Sequence, residues 1–316
     1  MPTSDAPNPT SVLDHAAVGA PITRAGVSLF PVYLFQPFAV PLVTGRPGAI
    51  QIAEAESESV PTLTVTSVID DPFLLLEGET VAGGLQQRTL NVSVLVPPRQ
   101  RLDIPVSCVE AGRWGGARTF AGTSGQVSRR VRRAKSASVA ENLRRTGHKQ
   151  SDQGVVWETV GFELDRLEVE SPSANFAASD QVFAAAAGSD REDHVRLARA
   201  AAELVDRGPL LGQCGVVVAH GARIVAAEVL AAPELLAAQW EPMVRAQLLD
   251  APDQVSGRPS VSRALRFVRR IARADGVEAP GVGLGNERHV RSSRLVGQIL
   301  TWDDAMVHAS AFALAA

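Results

Sequence analysis

Lysine is nearly missing from this 316-residue chain: Lys135 and Lys149 are its only two, so arginine supplies almost all of the 31 basic residues. A planar guanidinium engages phosphate or carboxylate through two parallel hydrogen bonds, which an ammonium cannot do. Cysteine is equally scarce. Cys108 and Cys214 stand alone, with no CxxC or CxH spacing, which excludes a disulfide framework and a cysteine zinc site. No HExxH helix and no nucleophile elbow occurs, so zinc-protease and serine-hydrolase readings fall away. No apolar run approaches the roughly 18 residues needed to span a bilayer. The first residues lack a basic start followed by an apolar core, which argues against a secretory signal and makes the cytoplasm the expected location. Their Pro, Ser, Asp and Asn content predicts a disordered leader over residues 1–25. A net charge of −3 neither requires nor excludes an anionic partner.

What is present is globular in character, with 45% hydrophobic and 21% charged residues and length enough for one large domain or two ordinary ones. Residues 26–122 read as β-rich. Val27–Phe35 is an apolar run interrupted by Pro31, and Ala49–Ala53, Thr62–Val68 and Phe73–Leu76 follow, the last two separated by an Asp70-Asp71-Pro72 turn. Arg88–Val96 alternates, with Leu90, Val92 and Val94 on one face, and Arg101–Val109 is the next strand. Short strands at this spacing predict a sandwich or a partly open barrel.

Residues 123–316 read as an α+β region packed on the first as one unit. Gln126–Arg145 predicts a basic helix ended by Gly147, and Ser151-Asp152 caps a second. Ser173–Ala187 is expected to be partly helical, and Asp190 to cap a helix running to Val205. Gly215–Ala219 and Arg223–Leu230 form a hairpin about His220-Gly221. Helices are expected over Pro233–Leu249 and Ser260–Ala274, and β or mixed structure over Glu287–Arg291, Arg294–Trp302 and Ala305–Phe312. The fold class is α+β.

Chemistry concentrates between Asp71 and Trp114. Glu77 and Glu79 are two apart and project to one side if the strand runs through Gly78. Such a pair serves as acid and base, or as ligands for a hard divalent cation, although no motif calls for a metal. The turn Gly83–Arg88 offers two glycines for close approach of a ligand, with Gln86, Gln87, Arg88 and Asn91 as donors and acceptors. Cys108 shares a strand face with Glu110, and Arg113 could lower a thiol pKa. Unpaired cysteine is nevertheless among the most buried residue types, so Cys108 reads as a wall of the site rather than its nucleophile. Arg129–Arg145 has the composition of a nucleic-acid surface but no interleaved aromatics, which favours a solvated face or a partner for acidic segments of the same chain. The glycine-rich Gly281–Glu287 lacks the strand–loop–helix order of a phosphate loop. His308, in an apolar run, reads as a satisfied core histidine.

The segments LLLEGETVAGGLQQR, LNVSVLVP, IPVSCVEAGRW, SDQGVVWETV, GQCGVVVAHG and VHASAF resemble the ARPP-1 family, named for association with ADP-ribosylglycohydrolase and rhodanese-phosphatase proteins. The resemblance runs from about Val27 to Phe312, and departs at Gln87, where the family tends to carry asparagine. It implies a cytosolic protein working near NAD-derived or ADP-ribosylated metabolites. It also makes Glu77, Glu79, Gln86, Arg88, Asn91, Cys108, Glu110, Arg113 and Trp114 the candidate site. The expected roles are acid/base carboxylates at Glu77, Glu79 or Glu110, phosphate or carboxylate capture by Arg88 and Arg113, and stacking by Trp114. The expected partner is a phosphate-bearing small molecule, with neither membrane nor nucleic acid favoured. A non-catalytic metabolite- or partner-binding module is the main rival, and a nucleic-acid binder using Arg129–Arg145 the second.

Overall fold

The computed structural model describes residues 9–35, 41–55, 61–113, 115–185 and 189–314. The chain opens with β1 (Ala17–Val18), β2 (Ile22–Arg24) and β3 (Val27–Tyr33). Eight short strands follow: β4 (Ile50–Glu54), β5 (Thr62–Ser67), β6 (Phe73–Leu75), β7 (Glu79–Gly83), β8 (Arg88–Leu90), β9 (Val94–Val96), β10 (Arg101–Cys108) and β11 (Thr119–Gln126). Helices α1 (Arg129–Thr146) and α2 (Gln153–Arg166), a 3-10 segment (Phe176–Val182) and α3 (Glu192–Asp206) come next. The hairpin β12 (Gly215–His220) and β13 (Arg223–Leu230) precedes α4 (Pro233–Leu249) and α5 (Val261–Ala272). The chain closes with β14 (Gly276–Pro280), β15 (Asn286–Arg291), β16 (Leu295–Trp302) and β17 (Ala305–Ala313). Among the described residues no helix is long and apolar enough to cross a membrane.

The α+β expectation holds, with the barrel fully shut. Strands β10-β5-β4-β11-β7-β8 close on themselves, so no unpaired edge remains to be protected. Its interior is filled by Ile52, Leu63, Val65, Val81, Leu90, Ile104, Val106 and Phe120. The alternating run Arg88–Val96 is not one strand. Its first part stays in the barrel, while β9 leaves to pair with β6 in a separate ribbon. Alternation cannot show that departure, because it depends on which partner strand is in reach.

The second layer is a nine-stranded antiparallel sheet ordered β1-β3-β12-β13-β17-β16-β15-β14, with β2 also on β3. Strand β3 therefore belongs with the C-terminal half. Pro31 does not break it: Pro31 lies opposite Val216 on one side and between the stretches that pair with β1 and β2 on the other, where its missing N–H costs no ladder bond. Residues 9–25, expected as disordered leader, instead form a 3-10 turn and two edge strands, because Leu13 and Ala16 are buried against α5. Residues 1–8 lie outside the described segments.

Alternation along the sheet assigns its two faces. Leu29, Val216, Val218 and Phe312 face the helices on the barrel side, whereas Phe30, Val217, Ala219 and Ala311 face α5. Gly147 (φ 75°) ends α1 and Asp152 caps α2, as expected; α1 starts later than expected, because Gln126 still belongs to β11 and Ser128 caps the helix through Val131 N. Each such cap contributes about 1 kcal/mol. Helix α3 has no side-chain cap from Asp190; Arg191 holds the cap position and Glu192 and Asp193 occupy the first turn, where their charge suits the helix dipole.

Candidate functional site

The two glutamates of the EGE motif part company at Gly78. That residue has φ 84°, and a Cβ there would lie 2.8 Å from the Arg132 side chain, so glycine alone fits. The chain turns, and Glu77 and Glu79 do not project together.

Glu77 enters a fully buried network. Its Oε1 accepts from Arg132 Nε (2.9 Å), Arg132 Nη2 (2.6 Å) and Ser310 Oγ (3.0 Å), and its Oε2 from Lys135 Nζ (2.9 Å). Arg132 reaches on to Glu228 through Nη1 (2.6 Å) and Nη2 (3.0 Å), and His308 Nε2 lies 3.2 Å from Glu228 Oε1. His308 Nδ1 meets Ser93 Oγ at 2.9 Å. Two carboxylates thus face two cations inside the protein. Burial would push the Glu77 carboxyl up, but Arg132 and Lys135 outweigh it and hold it at about 2. Burial pulls Lys135 down, with Glu77 opposing. The charges of the two carboxylates are thus balanced by residues of the same chain. The basic segment is thereby accounted for in large part: Arg129, Arg132 and Lys135 are buried partners of acidic residues of the same chain, Arg129 pairing with Asp250 at 3.1 Å.

Glu110 and Arg113 form a rim at the barrel end. Arg113 grips Glu110 through Nε–Oε1 (3.0 Å) and Nη2–Oε2 (2.7 Å), while its Nη1 donates to the Gly84 and Gly115 carbonyls at 3.1 and 2.6 Å. Glu110 also accepts from Gln87 N (3.0 Å) and Ser173 Oγ (2.8 Å). Burial raises the Glu110 carboxyl, and these donors overcome it, leaving it below its ordinary value. Behind the rim, Cys108 Sγ and Arg88 Nη1 both donate to Gln86 Oε1, at 3.0 and 3.3 Å, and Arg88 lies 3.9 Å from Glu54. Burial pushes the Cys108 thiol up to about 11, although Arg88 pulls the other way. A thiol so held is a wall. Asn91 braces the backbone, donating to the Val106 and Lys149 carbonyls and accepting from Ser107 Oγ at 2.6 Å. Gly84 makes its close approach to the Phe120 ring, not to a ligand. Trp114 lies outside the described residues.

Glu79 points elsewhere, into a cleft of about 330 Å³ between β7, β11, α4 and the 3-10 segment. Two register shifts in β11 turn Thr123 and Gly125 toward this space, as bulges do when they re-aim side chains. Glu79 Oε1 accepts from Leu76 N (3.0 Å) and Gln239 Nε2 (2.9 Å), and Gln239 also donates to Thr44 Oγ1 (2.8 Å). Burial raises the Glu79 carboxyl to about 8, helped by the charge of Glu228 and opposed by hydrogen bonds from Leu76 N, Thr123 and Gln239. It is therefore a neutral acid at pH 7, able to donate a proton. Gln87 lines the cleft too, its Oε1 accepting from Ala177 N at 3.1 Å. Gln126 completes the base: its Oε1 faces Arg132, and its buried Nε2 has no acceptor among the described residues. Arg245, paired with Glu241 at 2.5 Å, and Asp180 stand at the mouth.

Of the expected site residues, the cleft brings in Glu79, with Glu110 and Arg113 supporting it through the Gln87 backbone. Glu77 and Asn91 belong to internal networks. Asp180, Gln239 and Arg245 were invisible to the sequence reading because they arrive from segments remote in the chain. Among the described residues no three metal-ligating side chains gather.

The family model of the ARG and Rhodanese-Phosphatase-superfamily-associated Protein domain matches residues 15–312. No curated protein and no solved structure matches the chain.

Proposed function

The chain belongs to the ARPP-1 family, and from that membership we propose that the Glu79 cleft binds a small, hydroxyl-rich, ribose-bearing metabolite of the ADP-ribose or NAD type. The observation that carries this reading is a carboxylic acid held neutral at the base of a cavity, among the amides of Gln87, Gln126 and Gln239. A neutral acid donates a hydrogen bond to a hydroxyl or ether oxygen, and the amides supply donors and acceptors on either side. Arg245 at the mouth suits a phosphate, which fits bulk solvent better than the uncharged base does. The cytoplasm remains the proposed location.

If the protein is an enzyme, Glu79 is its general acid: the carboxyl proton passes to a leaving oxygen of the ligand as the carbon–oxygen bond breaks, water adds to that carbon, and the proton the water gives up restores the Glu79 carboxyl. The test is a thermal-shift screen with ADP-ribose, NAD and ribose 5-phosphate on the wild type and Glu79→Gln. A ligand at about 100 times its Kd stabilises the fold by about 2.7 kcal/mol. Binding kept but turnover lost in Glu79→Gln supports the enzyme. Binding without turnover in either protein supports the rival reading, a metabolite-binding module. A flat response to all three ligands removes both.

A further inference from the structure

On the far side of the nine-stranded sheet from the Glu79 cleft lies a second concavity, of about 410 Å³, lined by five arginines. Its geometry follows from three local facts. Helix α5 carries Arg263, Arg266 and Arg270 at spacings of three and four, which places them on one face, while Phe267, Val268 and Ile271 turn inward against the sheet. The tight turn at Gly221 (φ 57°) launches β13 so that Arg223 stands at its first position. Arg294 occupies the turn between β15 and β16, anchored where Leu314 N donates to its carbonyl at 2.9 Å. All five side chains belong to exposed residues, above an apolar floor of Ile224, Phe267, Ala313 and Leu314.

The charge is not neutralised from within. Several arginines elsewhere are paired: Arg24 with Glu203, Arg99 with Asp70, Arg132 with Glu77 and Glu228, and Arg273, just past the end of α5, with Asp14. Among the described residues none of the five groove arginines forms an ion pair, and the one side-chain hydrogen bond they make is from Arg263 Nη1 to the Ala222 carbonyl at 3.1 Å. Five cations gathered in a chain of net charge −3 repel one another, and an anion in the hollow relieves that repulsion.

We infer that this groove binds the phosphate chain of a small polyphosphorylated molecule. Guanidinium is the side chain best matched to phosphate, through paired N–H donors. Among the described residues the lining offers no carboxylate, amide or hydroxyl to read a base or a sugar, so charge density is what it selects. A nucleic-acid strand fits less well: among the described residues the one aromatic in the lining, Phe267, is buried in the floor and cannot stack on a base. This site is separate from the one proposed at Glu79 and does not depend on it.

The experiment is calorimetric titration at about 0.15 M salt with inorganic tripolyphosphate, ADP, adenosine and a thymidine oligonucleotide. The proteins are the wild type, an Arg266→Ser/Arg270→Ser variant and Glu79→Gln. Because the two arginines are exposed, the double variant is expected to keep the wild-type circular dichroism and melting curve. Tripolyphosphate binds the wild type, adenosine does not, and the double variant loses on the order of tenfold or more in tripolyphosphate affinity. Tripolyphosphate binding at least as tightly as ADP identifies the phosphate chain as the ligand; ADP binding on the order of tenfold tighter overturns the proposal, because among the described residues the lining has no group to read a base or a sugar. Failure of both to bind, affinity unchanged in the double variant, or an oligonucleotide that outcompetes tripolyphosphate overturns the proposal. Loss of tripolyphosphate binding in Glu79→Gln with full binding in the double variant also overturns it, because the heat then comes from the other cleft.

Discussion

The side-chain amide of Gln239 donates to the Glu79 carboxyl at 2.9 Å, tying α4 to the barrel at the base of the cleft. The same amide donates to Thr44 Oγ1, so the acid sits in a fixed cradle and not on a loose side chain.

That placement has a pH signature. Glu79 takes up its proton near 4.5 in the unfolded chain and near 8 in the folded one. The folded protein therefore holds more protons between those values. The contribution of Glu79 to stability is complete below pH 4.5, declines as pH rises, and is gone above about 8. Glu79→Gln has no such slope. Urea unfolding from about pH 6 to pH 9 should show the wild type losing more than ~2 kcal/mol relative to the variant. Parallel curves for the two proteins would show that Glu79 is ionised when folded.

Removing Arg132 strands two carboxylates. Arg132→Ala leaves Glu77 and Glu228 buried, with Lys135, His308 and the Ser310 hydroxyl as the remaining partners, and removes the guanidinium that bridges the two carboxylates. The expected cost is about 3–5 kcal/mol in chemical denaturation. Glu77→Gln should likewise destabilise without altering ligand binding per folded molecule. A Glu77→Gln protein of normal stability that fails to bind would instead return Glu77 to the site.

Both thiols should be silent in the native state. Cys108 is buried with its thiol raised to about 11, and Cys214 is buried and raised as well. Ellman's reagent at about pH 8 should find two thiols in urea and none before it. Fast native labelling of Cys108 would contradict the hydrogen bond to Gln86.

Glu110 behaves oppositely to Glu79. Its carboxyl is held below 4.5, so its contribution is present above that pH and is lost on acidification. Arg113→Ala removes the two-pronged grip and should cost about 1–2 kcal/mol, while flattening the acid limb of the stability curve. Hydrogen exchange should localise the loosening to residues 83–88, whose backbone the rim holds. Loosening confined to α1 would assign the effect elsewhere.

Much of this architecture is legible in the chain because its punctuation is local. Gly147, Asp152, Pro233 and the His220-Gly221 turn mark element ends by their own conformational preferences. Arg132 and Lys135 are different. A helix with seven basic residues reads as a wet face, and only the arrival of Glu77 from the turn before β7 and Glu228 from β13 makes two of its positions internal. Gly78 is likewise ambiguous in sequence: it permits a straight strand or a turn, and the guanidinium pressed against it decides. The cleft is the least legible feature. Glu79 and Gln87 lie in the conspicuous stretch, yet their value comes from Gln126, Asp180, Gln239 and Arg245, which no spacing rule connects. The arginines of α5 share a visible periodicity, but their lack of carboxylate neighbours is a fact of three dimensions alone.

Strand β3 has one more consequence. It lies between β1 and β12, and its main neighbour is synthesised only after the barrel, three helices and the 3-10 segment. While the chain is being made, the barrel can complete itself from nearby strands, but residues 27–33 must wait with an apolar edge unfilled. A break anywhere between the two halves would therefore not release two independent domains. It would leave the second half missing the strand that starts its sheet.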